Sequence, residues 1–287
     1  MTDVSVIIPA YNPGSYLQTT LSSLIRQTHT AWEAVVVDDG SYEDLSWIDL
    51  IDSRVRRLRQ ANQGLSAARN AGIEATSAPF VAFLDADDIW CPEKLSRQLE
   101  QFRIRPELGL SSTAFVIIDE KGTVSGGGFE GHHDSYRALL GGNGVCVSTV
   151  MVPRAVLREV GVFVLDLQAA QDWDLWLRIS QQYPIERVEM ASAQYRIHPA
   201  GMSQDWRRTY RESLIVLHKH AEAAENGGFD HVRKLAAAQA FDAARHAWRQ
   251  RNLYRLGCAL AFVLRTDARV LVRALRERIV GSAGVAA

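Results

Sequence analysis

Cysteine is scarce and scattered: Cys91, Cys146 and Cys258 are the only three, far apart and in no metal-ligand spacing. A disulfide framework and a structural zinc site are thereby excluded, and a reducing compartment is expected. Net charge is almost absent, with 32 Lys and Arg against 33 Asp and Glu, so no global field selects nucleic acid and none is expected as a partner. Long apolar runs are missing too. The longest near the C-terminus, Leu256 to Leu264, would extend about 14 Å as a helix against a hydrocarbon core of about 30 Å. Met1-Thr2-Asp3 leads straight into an apolar segment without a basic stretch or small-residue cleavage site, so no secretion signal and a cytoplasmic location are expected. What remains is ordinary globular usage, 47% hydrophobic and 23% charged over 287 residues, enough chain for one large domain or two small ones.

The first hundred residues alternate β-branched runs with helical spacing, the pattern of parallel strands joined by helical crossovers. Val4–Ile8, Ala34–Val37 and Phe80–Leu84 read as buried strands. Tyr16, Leu17, Thr20, Leu21, Leu24 and Ile25 recur at helical spacing, and Leu65–Ala75 is an Ala-rich helical stretch. The fold class is α/β. Strands are further predicted over Thr113–Ile118, Val145–Val152 and Ile185–Ile197, and a helix over Asp172–Tyr183. Between them the Gly-rich stretch Ser125–Asp134 reads as a loop, with His132 and His133 on its surface rather than on a metal. Residues 1–204 form the expected α/β body, and 205–287 a helical region rich in Ala, Arg and Leu. Within that region Arg265, Arg269, Arg273 and Arg276 fall on one helical face, suited to a solvated surface or to peripheral contact with an anionic membrane.

Acidic clusters end two of the predicted strands: Asp38-Asp39-Gly40-Ser41, and Asp85-Ala86-Asp87-Asp88. Open parallel sheets bind their ligands at the carboxyl ends of strands. Two carboxylates at alternate positions can divide the work, one accepting hydrogen bonds from a ribose and the other holding Mg²⁺ or Mn²⁺, which neutralises a diphosphate.

The motifs occur as an ordered set. Val4 to Asn12, Val37 to Ser41, Asn62 to Gly72, Phe83 to Trp90 followed by Pro92, Lys94 and Leu95, and Gln171 to Arg178 together resemble the family-2 glycosyltransferases, inverting nucleotide-sugar enzymes of the GT-A fold. The resemblance covers roughly residues 3 to 203. It implies a GT-A-type nucleotide-diphospho-sugar transferase fold, a Rossmann-like mixed sheet flanked by helices, with a C-terminal helical extension. Residues 1–110 would be the nucleotide-binding half and 111–204 the acceptor half.

Carried onto this chain, the resemblance implies that Asp39 binds the nucleobase, with Asp38 beside it as turn support or a secondary contact. Pro9, Ala10 and Tyr11 would border base and ribose, and Arg69 would approach the base or diphosphate. Asp85 would bind ribose or sugar hydroxyls next to Ala86, and Asp87 the metal, Mn²⁺ or Mg²⁺, with His198 as a further ligand. Asp172 would be the base that deprotonates the acceptor hydroxyl, and Trp173 an acceptor platform. Gln171 departs from the Glu that many relatives carry there. The Gln-X-X-Arg-Trp motif of processive synthases is absent, so transfer of one or a few sugars to a glycan or lipid-linked acceptor is expected, in surface-glycan biosynthesis. Two other functions fit parts of the pattern. One is a catalytically inactive nucleotide-sugar-binding partner, for which Gln171 is the support. The other, a sugar nucleotidyltransferase, expects a Gly-rich basic signature where Pro9-Ala10-Tyr11-Asn12 stands.

Overall fold

Three runs of β-branched residues open the chain's sheet. In the computed structural model, β1 (Val4–Ala10) is buried along its whole length, flanked by β2 (Trp32–Asp38) and β4 (Phe80–Phe83), both parallel to it. The structure describes residues 1–127, 134–140, 142–199, 201 and 205–222. A strand buried on both faces shows no alternation, which is why these segments read as continuous apolar runs. β3 (Val55–Arg59) adds to β2 in parallel. Helices cover the faces. α1 (Tyr16–Ile25) buries Leu17, Leu21 and Leu24, and α2 (Leu65–Glu74) lies unusually close to the sheet. A Cβ at Gly72 of α2 would sit 2.5 Å from Ile7 Cγ2, so only glycine lets the helix approach this near.

Beyond β4 the sheet changes direction. β5 (Ile89–Trp90) and α3 (Lys94–Ile104) lead to β6 (Leu110–Ile118), against which β7 (Val124–Gly127) runs antiparallel. After α4 (Tyr136–Leu140) come β8 (Met151–Pro153), α5 (Arg154–Val160), α6 (Gln171–Gln182), β9 (Ile185–Arg196) and α7 (Trp206–Glu222). Strand order is β3-β2-β1-β4-β8-β6-β9-β5, with β8 antiparallel to both β4 and β6, and β6 parallel to β9. The mixed sheet flanked by helices is the expected one. The strand predicted over Val145–Val152 is shorter in the structure. Val147–Thr149 form a 3-10 turn, closed by Thr149 N–H and Oγ1 donating to the Cys146 carbonyl, and extended backbone resumes at Met151.

Two compact units divide the chain. The first comprises residues 1–139 and 143–212, reaching past residue 204, where the sequence reading set its boundary; the second comprises 140–142 and 213–287. His132, His133 and the arginine face from Arg265 to Arg276 lie outside the described residues. No described helix is long and apolar enough to cross a membrane.

Candidate active site

Strand order decides where ligands meet the sheet. β2 and β3 lie on one side of β1 and β4 on the other, so the segments leaving β1 and β4 diverge over a crevice at their carboxyl ends, the switch point of an open α/β sheet. The two acidic clusters follow β2 and β4, the neighbours of β1 on either side.

On the β2 side, Asp39 is 4% exposed and organises the loop that precedes α2. Its Oδ1 accepts from Gln60 Nε2 (2.7 Å) and the Gln63 amide (2.9 Å), and its Oδ2 from the Gly64 amide (2.8 Å). An ionised carboxylate offers about four acceptor positions, so Oδ2 keeps one for a ligand. Gly40 holds the turn: its φ is +80°, and a Cβ there would meet the Asn62 amide at 2.9 Å. Asp39 lines a cavity of about 630 Å³ together with Pro9, Ala10, Tyr11 and residues 62–66, where the loop enters α2; Leu165, Leu167, Gln168 and Arg208 also line it. Gln60 and these last four residues carry no motif and escaped the sequence reading, and Gln63, although within the Asn62–Gly72 motif, was given no role. Asp38 is not part of the cavity wall. It is fully buried, accepting from the Ser41 amide (2.8 Å) and paired with Arg59 (2.9 Å). Its role is turn support, because successive residues of a strand point to opposite faces.

The second cluster is tied to α2, to the turn before β8 and to the end of β9. Asp85 accepts from Arg69 Nη2 at 2.7 Å, and its amide donates to Ser148 Oγ at 3.1 Å. Arg69 is 2% exposed, with Nε and Nη1 lacking any hydrogen-bond partner among the described residues. Buried guanidinium donors without a protein partner are groups that an anionic ligand could satisfy. Ala86 contributes its carbonyl, which accepts from Thr20 Oγ1 (2.9 Å). Asp88 is fully buried, accepting from Ser148 Oγ (2.5 Å) and the Arg196 amide (2.9 Å). Burial pushes its carboxyl well above the ordinary range, and the charges of Asp87 and Asp85 push the same way. Asp88 thus ties the acidic segment to the turn before β8 and to the end of β9.

Asp87 Oδ2 and His198 Nε2 lie 2.9 Å apart. Burial raises the Asp87 carboxyl, Asp85 adds to this, and His198 counters it. The contact is a direct hydrogen bond between the two side chains; because adjacent ligands about 2.1 Å from one ion lie about 3 Å apart, the same pair could take neighbouring positions on a hard divalent cation once that bond is given up. No group of three His, Cys, Asp or Glu side chains among the described residues encloses a cation. A cation here would take its remaining ligands from water or from phosphate oxygens, as Mg²⁺ commonly does.

Asp172 stands in the first turn of α6. Its Oδ1 accepts from the Trp173 amide (2.8 Å) and its Oδ2 from Asn143 Nδ2 (3.0 Å). Burial raises its carboxyl above the ordinary aspartate range; Arg69, the Trp173 amide and Asn143 pull it down, and Asp85 pushes it up. Arg69 and Asp85 therefore act electrostatically on Asp172, which puts the predicted base in the neighbourhood of the second acidic cluster. α6 itself is anchored by Arg178, which pairs with Asp174 (2.9 Å) and donates to the carbonyls of Val160 and Val162. A buried Glu212 from α7 accepts from the Gln168 and Ala169 amides just ahead of α6.

Trp173 does not present a platform. It is 2% exposed, and its indole N–H donates to the Leu139 carbonyl at 2.8 Å; with Leu175, Trp176 and Ile179 it belongs to the buried face of α6. Gln171 is also buried, its Oε1 without a partner among the described residues.

The carboxyl ends of the parallel strands thus carry a cavity at Asp39, a carboxylate–imidazole pair at Asp87 and His198, and a half-buried aspartate, Asp172, under the influence of Arg69 and Asp85. Residues 5–150 match the family model described as Glycosyl transferase family 2, and the chain belongs to that family. It is 28% identical over 220 residues to the Escherichia coli UDP-Glc:alpha-D-GlcNAc-diphosphoundecaprenol beta-1,3-glucosyltransferase WfgD, the match covering 75% of this chain and 85% of that one. An uncharacterized glycosyltransferase of Rickettsia bellii is 32% identical over 223 residues, 75% of this chain; the match spans only 31% of that longer relative. Among solved structures, Staphylococcus aureus TarS 1–349 in complex with UDP-GlcNAc superposes with a TM-score of 0.60 at 16% identity, over 90% of both chains. At that identity the likeness is one of fold, and it is the GT-A-type fold the sequence motifs imply.

Proposed function

We propose that this chain transfers a sugar, with inversion, from a uridine diphosphate sugar to a hydroxyl of a glycan or lipid-linked acceptor, and that it does so with a bound divalent metal. The observation that supports the reading is the linkage of Arg69 to Asp85 and, electrostatically, to Asp172, with the Asp87–His198 pair on the same acidic segment and a cavity lined by Asp39 at the neighbouring strand ends. UDP is favoured because Asp39 Oδ2 has one acceptor position left, which an imide N–H of uracil fills, and because a relative is named for UDP-Glc and a fold neighbour binds UDP-GlcNAc.

Asp87 and His198 would hold Mg²⁺ or Mn²⁺, which neutralises charge on the departing nucleoside diphosphate. Arg69 turns its free N–H groups to the diphosphate, and Asp85, held by Arg69, accepts hydrogen bonds from ribose or sugar hydroxyls. Asp172, ionised, takes the proton of the acceptor hydroxyl. The acceptor oxygen then bonds to the anomeric carbon as the bond to the diphosphate breaks on the opposite face; one displacement inverts the configuration. Transfer of one or a few sugars in surface-glycan assembly, at the cytoplasmic face of a membrane reached through the basic C-terminal stretch, completes the proposal.

The test combines the protein, Mn²⁺ or Mg²⁺, a panel of UDP-sugars and a synthetic polyprenyl-diphosphate-linked N-acetylglucosamine, with released UDP as readout. Metal-dependent release is expected. Asp172→Asn abolishes it and leaves UDP binding intact; a variant that still turns over removes Asp172 from the mechanism.

A further inference from the structure

We propose that Asn143 is a positioning residue for the transfer, holding the Asp172 carboxylate in the plane from which it meets the acceptor hydroxyl. This rests on the reading of Asp172 as the base. It arises from a contact between two segments 29 residues apart in sequence.

The amide of Asn143 is engaged at both ends. Nδ2 donates to Asp172 Oδ2 at 3.0 Å, and Oδ1 accepts from the Val145 amide at 3.3 Å. An ionised carboxylate only accepts and a backbone N–H only donates, so a flipped amide would oppose oxygen to oxygen and donor to donor. One orientation satisfies both. On the other side, the Trp173 amide reaches Asp172 Oδ1 from within α6. That bond alone leaves the carboxylate free to swing about its last torsion, where rotamer wells are broad. The second donor, from a different part of the chain, removes the swing and leaves each oxygen an acceptor position for the incoming hydroxyl.

The segment that carries Asn143 also reaches the donor side. Five residues on, Ser148 Oγ contacts both the Asp85 amide and Asp88. One short stretch, Asn143 to Ser148, thus touches the base at one end and the acidic segment at the other, setting the spacing across which oxygen must attack carbon. Effective proximity of this kind depends on sub-ångström placement. The charged and titratable groups acting on Asp172 are Arg69 from α2, Asp85 after β4 and the Cys146 thiol of the same stretch. Asn143 adds a neutral donor to this set and stabilises the ionised carboxylate without contributing charge.

Three substitutions in the full chain test this, with UDP affinity and the melting temperature as controls. Asn143→Leu, similar in size but without a donor, is expected to lower kcat by about 10- to 100-fold, the range for a lost hydrogen bond to a charged group, with donor KM unchanged. Its acid limb in the kcat–pH profile moves to higher pH. Asn143→Asp replaces the donor with a second carboxylate and moves the limb further; Asn143→Ser, which keeps a hydroxyl donor, restores part of the rate. Carboxyl carbon NMR, with the Asp172 signal identified by its loss in Asp172→Asn, reads the same displacement without any substrate. A wild-type kcat, acid limb and Asp172 titration in Asn143→Leu overturn the inference; if that variant does not fold, an unshifted Asp172 titration in Asn143→Asp does so. Turnover surviving in Asp172→Asn would instead overturn the underlying assignment of the base, so the two failures are distinct.

Discussion

Replacing Asp39 is expected to damage stability and donor binding together, and the structure sets the size of both effects. The carboxylate is 4% exposed and accepts three hydrogen bonds, two from backbone amides and one from Gln60. Asp39→Ala leaves all three donors unsatisfied. Each buried unsatisfied donor costs about 1–3 kcal/mol, but water entering from the adjoining cavity replaces part of what is lost and the three bonds are not additive, so a total of about 2–4 kcal/mol follows. For a unit of this length that lowers Tm by roughly 5–12 °C. Asp39→Asn keeps one acceptor oxygen but sets an NH₂ against a donor whichever way the amide turns; about 1–2 kcal/mol follows from one such opposition. UDP affinity in both variants falls about 10- to 100-fold through loss of the charge-assisted bond to the base. Differential scanning calorimetry and titration calorimetry with UDP and Mn²⁺ measure the two effects on one sample. An Asp39→Asn protein with unchanged Tm and unchanged UDP affinity would refute the account of the nucleobase wall.

Turnover should rise with pH along a limb set by Asp172, placed above the ordinary aspartate range because burial outweighs the pull of Arg69; comparing kcat and UDP affinity across pH checks it, since donor binding should not share the limb. Alanine at either Asp87 or His198 should abolish the metal-dependent part of UDP binding and leave a weaker metal-independent part, measured by titrating UDP with Mn²⁺ and with a chelator. Gly72→Ala should destabilise by about 1–3 kcal/mol through overpacking against Ile7, even though alanine favours helix; denaturant unfolding reads this, and a stabilised variant would contradict the tight approach of α2 to β1.

Elements whose buried strands run unbroken through β-branched residues were readable from the chain, because a parallel strand covered on both faces has one chemical signature. β3 was not: Arg56, Arg57 and Arg59 give it the look of a loop, and the pairing of Arg59 and Arg57 with Asp38 explains a basic strand at that position. The carboxylates Asp39, Asp85, Asp87 and Asp172 were legible through short motifs in the right order. Their partners were not. Asn143, Ser148 and Gln60 are single polar residues outside the regular helices and strands, and what they touch depends on how distant segments pack. Trp173 was misjudged for the same reason: spacing along a helix identifies a face, and only the packed structure says which face is covered.

The two sides of the crevice differ in how far along the chain their contacts reach. Asp39 finds its partners within 25 residues. Asp88 needs Ser148 and Arg196, 60 and 108 residues downstream, and Asp87 needs His198, 111 residues downstream. On a ribosome, Asp39 therefore has every one of these hydrogen-bond partners long before His198, the partner of Asp87, is translated. The first acidic cluster is satisfied within one local segment, whereas the second waits for the end of β9 to emerge.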